Sequence, residues 1–323
     1  MENIIETKNV TKKYGNFTAV DNLSFSVKTG EVFAFLGPNG AGKTTTIKML
    51  TTLLKPTQGE ILLNGTNVTK NPHETRKSFG IVFQDPSLDN ELTAYENMEF
   101  HAILYGLKKE NQALNYKTPV LEYFSGLFSK FWLQIRYNFS TEPLAKPKNS
   151  IEFLSQNLDK IPRKSFVIQG YQERIKILLE LVELWDRRDS YVKTFSGGMK
   201  RRLEIARGLL HKPKVLFLDE PTIGLDPQTR NHIWSYIHDL NKKENVTIFF
   251  TTHHMEEVER IAQKIAIIDH GKILITGTAE EIIKKAGAQN LEDAFITLTG
   301  SNIREEEVSA GLNRMRISNK MMR

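Results

Sequence analysis

Runs of consecutive apolar residues alternate with helix-like segments over most of the chain. Three of these runs, E-V-F-A-F-L at 31–36, V-L-F-L at 215–218 and V-T-I-F-F-T-T at 246–252, have the length and composition of strands buried on both faces. The segment K-T-T-T-I-K-M-L-T-T-L-L at 43–54 follows the first run and predicts a helix. Strands that alternate with helices in this way predict an α/β fold with a parallel sheet.

Other stretches predict antiparallel strands and a helical region. Segments 4–10 and 17–27 read as extended and are separated by turn residues. The run at 264–277 has D-H-G at its centre, which predicts a β-hairpin. Between about 85 and 190 the pattern is mostly helical.

The composition is that of an ordinary globular protein. Of the 323 residues, 40% are hydrophobic and 25% are charged, and the absence of cysteine excludes disulfides and thiolate metal sites. No run approaches the roughly 18 consecutive apolar residues that a transmembrane helix needs. The beginning M-E-N-I-I-E-T-K lacks the apolar core of a signal peptide, and we expect the protein to work in the cytoplasm.

The net charge of +6 belongs to two segments. Residues 111–170 carry +4 and residues 301–323 carry +2, whereas the rest of the chain is balanced. Because nucleic-acid binding needs a basic surface, a balanced body gives it no support. No nucleic-acid partner is therefore expected.

The strongest chemical motif lies between the first buried strand and the helix after it. G-P-N-G-A-G-K-T matches the G-x-x-x-x-G-K-[ST] phosphate loop, whose backbone N–H groups surround phosphate oxygens at the start of a helix. The lysine of such a loop reaches the β- and γ-phosphates, and the next hydroxyl binds Mg²⁺. A glycine-rich turn without a ligand is the alternative. The predicted loop residues are Gly37, Pro38, Asn39, Gly40, Ala41, Gly42, Lys43 and Thr44, with Thr45 adjacent.

Two adjacent carboxylates, Asp219 and Glu220, follow the buried run 215–218. On a parallel sheet this end of the strand lies beside the phosphate loop, where ligands gather. One acid can hold Mg²⁺ while its neighbour polarises the attacking water. Such a pair is usually a solvated strand end, but after a phosphate loop it predicts a hydrolytic site.

A serine and two glycines, Ser196, Gly197 and Gly198, precede an apolar-periodic helix in T-F-S-G-G-M-K-R-R-L-E-I-A-R. Glycines weaken a helix start unless something approaches the backbone closely there. We expect no nearby part of the chain to make that approach. The serine and the N–H groups of the helix start suit an anion such as a phosphate.

Together and in this order, these motifs resemble the ATP-binding subunit of ABC transporters, and most closely the multidrug-exporter type related to daunorubicin-resistance ATPases. The resemblance covers 1–110 and 171–300. It implies an ATP-binding domain over 1–300, followed by a polar tail at 301–323. The implied fold is that of a P-loop NTPase, with a RecA-like parallel core, an antiparallel β-subdomain and a helical subdomain at about 85–190. The implied cofactors are ATP and Mg²⁺, and the implied activity is ATP hydrolysis coupled to transport.

Further roles follow from the resemblance, position by position. Tyr14 matches the aromatic residue that stacks on adenine, although a strand-end tyrosine packed on the core is the alternative. Gln84 matches the glutamine that meets Mg²⁺ and the attacking water, and a solvated loop glutamine is the alternative. Asp226 lies in the motif that signals across the dimer. His253 matches the switch histidine that contacts the γ-phosphate, where a structural histidine is the alternative.

The resemblance also implies partners. S-G-G-M matches the family's signature sequence, with Met199 where many members have glutamine, and in the family it meets a phosphate on another subunit's loop. A dimer of ATP-binding subunits is expected, docked on an integral-membrane permease at the inner face of the cell membrane. The alternative is a non-transport ABC ATPase that acts on nucleic acid or ribosomes. The paired ATPase domains, long coiled coils or zinc-binding cysteines of such proteins are not visible in the sequence.

Residues 111–170 interrupt the resemblance and are interpreted as an insertion. The first half predicts an amphipathic helix, with Thr118 as its cap, Pro119 in its first turn and aromatic residues such as Phe124 and Phe128 on one face. The second half reads as a linker. One interpretation is a tolerated surface insertion that packs on its host domain. The other is a basic amphipathic element in weak contact with anionic lipid or with the permease.

Overall fold

The computed structural model describes residues 2–85, 87–107 and 171–300. Its centre is a six-stranded sheet formed by β3 (Val32–Leu36), β6 (Phe79–Val82), β7 (Val215–Asp219), β8 (Thr247–Thr251), β9 (Lys264–Asp269) and β10 (Lys272–Gly277). Their spatial order is β10-β9-β3-β8-β7-β6. Neighbouring strands are parallel, apart from the predicted β9–β10 hairpin, which is antiparallel.

Every residue of β3, β7 and β8 is buried, which explains why these strands read as continuous apolar runs. On one face of the sheet, the rings of Phe33 and Phe249 stack with their centroids 5.4 Å apart. Side chains on the opposite face, such as Leu216 and Phe250, pack in the cluster shared with most of the helices. The predicted parallel core is confirmed.

An antiparallel sheet packs against the first of these faces and confirms the predicted β-subdomain. In spatial order its strands are β2 (Phe17–Lys28), β1 (Asn3–Tyr14), β4 (Gln58–Leu63) and β5 (Thr66–Asn67). Phe25 of β2 joins the aromatic cluster, with its ring centroid 5.7 Å from that of Phe33. The pairing of β1 with β2 brings Tyr14 opposite Phe17 at one end of the sheet.

The helices among the described residues are α1 (Lys43–Leu50), α2 (Pro72–Lys77), α3 (Ala94–Leu104), α4 (Tyr171–Leu181), α5 (Gly197–Gly208), α6 (Pro227–Glu244), α7 (Met255–Ile261), α8 (Ala279–Ala286) and α9 (Leu291–Thr299). The first helix ends at Leu50, so its predicted end at Leu54 is wrong. Thr52 has a φ of 63°, and the N–H groups of Leu53 and Leu54 both donate to the carbonyl of Lys48. The chain therefore turns back over the last helical turn.

Helices α3, α4 and α5 pack together as the predicted helical subdomain. Thr93 caps α3, and Thr93 and Glu96 exchange side-chain-to-backbone hydrogen bonds in a capping box. The Tyr171 hydroxyl at the start of α4 donates to Glu99 of α3 over 2.8 Å. The two helices that flank the predicted insertion therefore touch.

Two predicted segments lie outside the described residues: the insertion at 111–170, with its amphipathic helix, and the polar tail at 301–323. Within the described ranges, no helix combines the length and the apolar character needed to cross a membrane.

Candidate active site

The phosphate loop joins β3 to α1 and is closely surrounded by other parts of the chain. A Cβ atom on Gly37 would lie 2.8 Å from Ile268 Cγ2, and one on Gly42 would lie 2.6 Å from the carbonyl oxygen of Ala19. Gly42 also has a φ of 105°, in the left-handed region that favours glycine. Only glycine fits at these two positions without displacing a neighbour, so the packing of the chain around the loop explains these two glycines.

The turn between these two glycines is held by main-chain hydrogen bonds. The N–H of Ala41 donates to Pro38 over 3.1 Å, and the Ala41 carbonyl accepts from Gly271 over 3.0 Å. Asn39 and Gly40 lie at the tip, where Gly40 is exposed and has a φ of 81°. The predicted loop residues therefore form one structural unit.

Lys43 opens α1 and is buried under the loop. Its Nζ donates to the carbonyl oxygen of Gly37 at 2.6 Å and to that of Pro38 at 3.2 Å. Burial lowers the pKa of Lys43, and the negative charges of Glu220 and Asp219 oppose that shift. A buried ammonium group held by carbonyl oxygens is well suited to an anion that enters the loop.

Asp219 lies at the end of β7 and meets the first turn of α1. Its Oδ2 accepts from the Thr44 hydroxyl at 3.3 Å, and its Oδ1 accepts from the Thr251 hydroxyl at 2.7 Å. Burial raises the pKa of Asp219; the Thr251 hydrogen bond opposes this shift, and the charge of Glu220 adds to it. A hydroxyl and a carboxylate side by side are hard oxygen ligands of the kind that Mg²⁺ prefers.

Glu220 follows β7 with a φ of 50°, which is uncommon for a residue with a side chain. Its N–H donates to the hydroxyl of Thr251 at 3.0 Å, and its Oε1 lies 2.6 Å from Nε2 of His253. Burial raises the pKa of Glu220, but the His253 hydrogen bond and the charges of His253 and Lys43 outweigh burial. The pKa therefore lies below its ordinary value, and the carboxylate is ionised at neutral pH.

Tyr14 lies at the end of β1 and touches α1. Its hydroxyl is hydrogen-bonded to Thr45, its ring is 41% exposed, and Nζ of Lys12 lies 5.2 Å from the ring centroid. The exposed ring is not packed into the core in the way that the structural alternative requires. A ring next to the phosphate loop with an accessible face is what adenine stacking needs.

Gln84 follows β6 and is exposed. Its carbonyl oxygen accepts from Arg201 of α5 at 3.3 Å, and the same guanidinium donates to the carbonyl of Phe83. The helical subdomain therefore holds the backbone of this loop, while Gln84 itself faces solvent.

Ser196 caps α5, and its hydroxyl oxygen accepts from the N–H of Met199 at 3.3 Å. A Cβ atom on Gly198 would lie 2.6 Å from Cγ2 of Thr229, at the start of α6. Gly198 is therefore closely approached by another part of its own chain. Thr229 is distant in sequence, and only the tertiary fold brings it there. At Gly197 the nearest atom to a Cβ would be 3.7 Å away, an ordinary contact.

Asp226 caps α6 and accepts from the N–H of Thr229 at 3.0 Å and from its hydroxyl at 2.6 Å. These hydrogen bonds lower the pKa of Asp226. Since Thr229 also contacts Gly198, Asp226 lies next to the signature motif. The structure thus gathers the predicted residues in two groups, except that the exposed side chain of Gln84 joins neither. The first surrounds the phosphate loop and contains Tyr14, Thr44, Thr45, Asp219, Glu220 and His253. The second, at the starts of α5 and α6, contains Ser196, Gly197, Gly198 and Asp226.

The sequence interpretation missed buried residues that hold the site loops. Glu257 of α7 accepts from the hydroxyl of Thr222 at 2.9 Å and from that of Thr252 at 2.8 Å, and so ties together the loops that follow β7 and β8. Thr251 holds both acids of the pair. Its position at the polar end of an apolar strand was the available signal. Glu257 gave no signal, because an acid in the first turn of a helix is ordinary.

A parallel sheet with a phosphate loop after one strand and paired acids after another defines the P-loop ATPases. The added antiparallel sheet and helical subdomain narrow the class to the ATP-binding cassettes. Residues 20–223 match the family described as ABC transporter. The chain belongs to this family and is an ATPase of the cassette type.

Two relatives and one solved structure illustrate the match. The linearmycin resistance ATP-binding protein of Bacillus subtilis is 35% identical over 94% of this chain and 76% of its own length. The daunorubicin/doxorubicin resistance ATP-binding protein of Streptomyces peucetius is 33% identical over 89% of this chain and 69% of its own length. The dimeric structure of a bacterial ABC transporter cassette is 24% identical, with a TM-score of 0.60, and covers 85% of this chain and 98% of that one. This last likeness concerns the fold.

Proposed function

We propose that this chain is the ATP-hydrolysing subunit of an exporter and drives transport through a separate membrane permease. The observation that carries the proposal is the arrangement of Lys43, Thr44, Asp219 and Glu220 around one phosphate loop. Export is supported by the two relatives, whose names record resistance to linearmycin and to daunorubicin/doxorubicin. These relatives do not favour the alternative of a non-transport ATPase.

In this proposal Tyr14 stacks on the adenine and residues 37–45 bind the phosphates. The backbone N–H groups of the loop and the start of α1 supply the anion site. Lys43 exchanges the carbonyls of Gly37 and Pro38 for phosphate oxygens. Because Lys43 is already desolvated and ordered, little reorganisation opposes this exchange.

The residues suited to hold Mg²⁺ are Thr44 and Asp219, whose oxygens are 3.3 Å apart. The proposal adds Gln84 as a third ligand, although its side chain is exposed without the ion. When bound, Mg²⁺ would neutralise developing negative charge on the phosphates. Thr251 fixes the rotamer of Asp219, because its hydroxyl donates to Oδ1 at 2.7 Å.

Glu220 acts as the base that polarises the attacking water, and His253 orients it. The ionised carboxylate can accept a proton from water, and the His253 contact at 2.6 Å fixes one of its two oxygens. In the ATP-bound state His253 also contacts the γ-phosphate. The proposal also assigns Gln84 a contact with the attacking water.

The second group of residues acts on a second copy of the chain. Ser196, Gly197 and Gly198 present a helix start to a phosphate held by the partner's loop, and Asp226 lies at the same interface. ATP thus joins two chains, and its hydrolysis releases them. The permease places the dimer on the inner face of the cell membrane.

The test is purification of the tagged chain from membranes of its source cells in mild detergent. We expect a multi-span membrane protein in fixed ratio to the chain and ATP hydrolysis by the complex. Lys43→Ala is the matched control, because it should abolish hydrolysis while leaving the complex intact. Recovery with ribosomes or nucleic acid, and without a membrane protein, would contradict the proposal.

A further inference from the structure

Three charged residues on α5 are buried instead of facing solvent. Arg201, Glu204 and Arg207 follow one another at intervals of three residues, and their exposed fractions are 5%, 1% and 6%. Glu204 lies 3.1 Å from Arg201 and 3.9 Å from Arg207. Buried charges of this kind are costly unless each is paired and hydrogen-bonded.

The guanidinium of Arg201 binds backbone from both catalytic loops of its own chain. It donates to the carbonyl of Phe83, to that of Gln84 at 3.3 Å and to that of Glu220 at 3.0 Å. Its remaining contact is the carboxylate of Glu204 at 3.1 Å. One rigid planar group therefore sets the spacing between the glutamine loop and the proposed base.

The other two members fix the next part of the glutamine loop to the same helix. Glu204 accepts from the N–H of Ser87 at 2.7 Å. Arg207 donates to the carbonyl of Ser87 at 2.8 Å and to its hydroxyl. The loop therefore cannot move relative to α5 without breaking several partly buried hydrogen bonds.

The same helix carries the signature motif on its first turn. Ser196 and Arg201 are five positions apart, which corresponds to about 7.5 Å of helix rise. Because this helical segment is short and rigid, a displacement at Ser196 also moves Arg201.

We infer that Arg201 is a positioning residue that links the two nucleotide sites of the dimer through each subunit. The inference rests on the proposed function, in which Gln84 and Glu220 serve the subunit's own ATP and Ser196 serves the partner's. A γ-phosphate bound by Ser196 in one site thereby biases the glutamine loop and the base in the other. The coupling is reciprocal, as linkage requires.

The experiment uses mixed dimers of the full chain in which one subunit, the silent subunit, carries Lys43→Ala. The other, the live subunit, keeps its phosphate loop. The remaining functional site then takes Glu220 from the live subunit and Ser196 from the silent one. Arg201→Lys is placed in either subunit, because lysine keeps the charge beside Glu204 but cannot bind three carbonyls at once.

Arg201→Lys should lower kcat at least fivefold from either position, with KM for ATP changed less than threefold. Glu220→Gln should act only from the live subunit, and Ser196→Ala only from the silent one. Arg174→Lys is the matched control: this partly buried arginine binds Glu244 and the Leu209 carbonyl, away from both loops, and its replacement should act from neither position.

These outcomes separate the link from the proposed function. If Glu220→Gln and Ser196→Ala lower turnover from the same subunit, the shared site itself is wrong. If they act from different subunits and Arg201→Lys acts from one only, the link is wrong. An equal effect of Arg174→Lys from both positions would also overturn the link, because the effect would then not depend on contacts with the two catalytic loops.

Hydrogen exchange gives a second readout that needs no turnover. At a protein concentration low enough for light scattering to show only monomers with Mg-ATP present, Mg-ATP should slow amide exchange in residues 197–203 by at least threefold, in the original chain and in the Arg174→Lys chain. Arg201→Lys should bind Mg-ATP yet lose that slowing. Equal slowing in Arg201→Lys would overturn the link whatever the kinetics show.

Discussion

Glu220 has contacts on both its backbone and its side chain that fix a base in place. Thr251 binds its N–H, Arg201 binds its carbonyl, and His253 lies 2.6 Å from its carboxylate. Glu220 can keep its left-handed backbone conformation, with a φ of 50°, because these contacts hold both its backbone and its side chain in place. The consequence is a carboxylate that is both ionised and oriented before ATP arrives.

Glu220→Gln should keep ATP binding but lower kcat about 100- to 10,000-fold, the range that general acid–base catalysis contributes. The amide keeps the shape of the side chain but cannot accept the proton of water. The measurement is steady-state ATP hydrolysis with light scattering, which should show an ATP-dependent dimer. Glu256→Gln, an exposed acid on α7, is the control and should hydrolyse normally. Turnover by Glu220→Gln within twofold of the original chain would refute the assignment.

His211 illustrates a different effect of burial, away from the site. Its ring stacks on Tyr105 with centroids 3.8 Å apart, and Nε2 lies 2.9 Å from the carbonyl of Phe79, so Nε2 donates. Within the described part of the chain, the buried Nδ1 has no hydrogen-bond partner. Burial lowers the pKa of His211 to about 4, the Phe79 hydrogen bond opposes the shift, and the Arg174 charge adds to it.

Stability should therefore fall as the pH drops from about 6.5 to 4, because the unfolded chain takes up a proton that the folded chain refuses. His211 should account for about 2 kcal/mol between pH 7 and pH 5. His211→Gln keeps a donor for Phe79 without titrating, so urea unfolding of this variant should show a smaller loss. Burial lowers the pKa of His101 too, and the charges of Arg207 and His211 add to that shift, so both proteins are compared in a His101→Gln background. Identical losses in the two proteins would contradict the prediction.

The residues that could be predicted from sequence are those whose chemistry is local. The phosphate loop, the acid pair and His253 follow apolar strands directly, so their positions at one edge of the sheet could be inferred. Thr251 and Glu257 were missed, because each acts through partners from another strand or loop. A one-dimensional pattern does not show which buried hydroxyl faces which carboxylate.

At the scale of elements, α5 crosses β6 at unusually close range. Gly80 of β6 and Gly208 of α5 face each other, and a Cβ atom on Gly80 would lie 2.8 Å from the carbonyl carbon of Gly208. A Cβ atom on Gly208 would instead meet Leu216 Cδ1 at 3.3 Å, a side-chain end that can move. The crossing therefore tolerates a side chain on the helix but not on the strand.

Gly80→Ala should destabilise the protein by about 1–3 kcal/mol or more, because the helix backbone must shift to admit the methyl group. Gly208→Ala should be nearly neutral, since the higher helix propensity of alanine offsets a small adjustment of Leu216. Urea unfolding of the two variants gives the comparison. Equal destabilisation would show that the crossing is looser than described.

Elements with a strong pattern were predicted well, and elements defined by contacts were not. The continuous apolar runs became β3, β7 and β8, because only a strand buried on both faces carries such a run. The first helix was predicted too long, because Thr52 has an αL conformation that its sequence does not signal. The helices α8 and α9 have Gly287 and Gly300 as C-terminal caps, a signal that was available and not used.

At the scale of the whole molecule, the flanks of the predicted insertion meet without it. Tyr171 at the start of α4 binds Glu99 of α3 at 2.8 Å, and Ile175 and Leu178 of α4 are buried in the helical core. Helices α3 and α4 are therefore in direct contact with each other. An inserted segment requires such contact between its flanks, and the insertion at 111–170 stays a prediction.

Joining Glu110 directly to Tyr171 should preserve ATP binding and keep hydrolysis within about twofold, because loop-closure entropy changes only slowly with length. A folded deletion protein that no longer binds ATP would show that the segment belongs to the catalytic machinery.

The same protein tests lipid contact by sedimentation with phosphatidylserine vesicles. Basic residues near such a surface contribute about 1 kcal/mol each, so deletion should weaken binding. Unchanged sedimentation would reject the membrane interpretation.

The contact between Gly198 and Thr229 has a consequence for genetics. A methyl group introduced by Gly198→Ala would strike Cγ2 of Thr229, while the Thr229 hydroxyl and Cβ would remain 3.7 Å away. Thr229→Ser removes that carbon yet retains the hydroxyl that binds Asp226. A selection for revertants of Gly198→Ala should therefore recover Thr229→Ser as a second-site suppressor. Positions 198 and 229 would then evolve together, because a substitution accepted at one position would depend on which residue occupies the other.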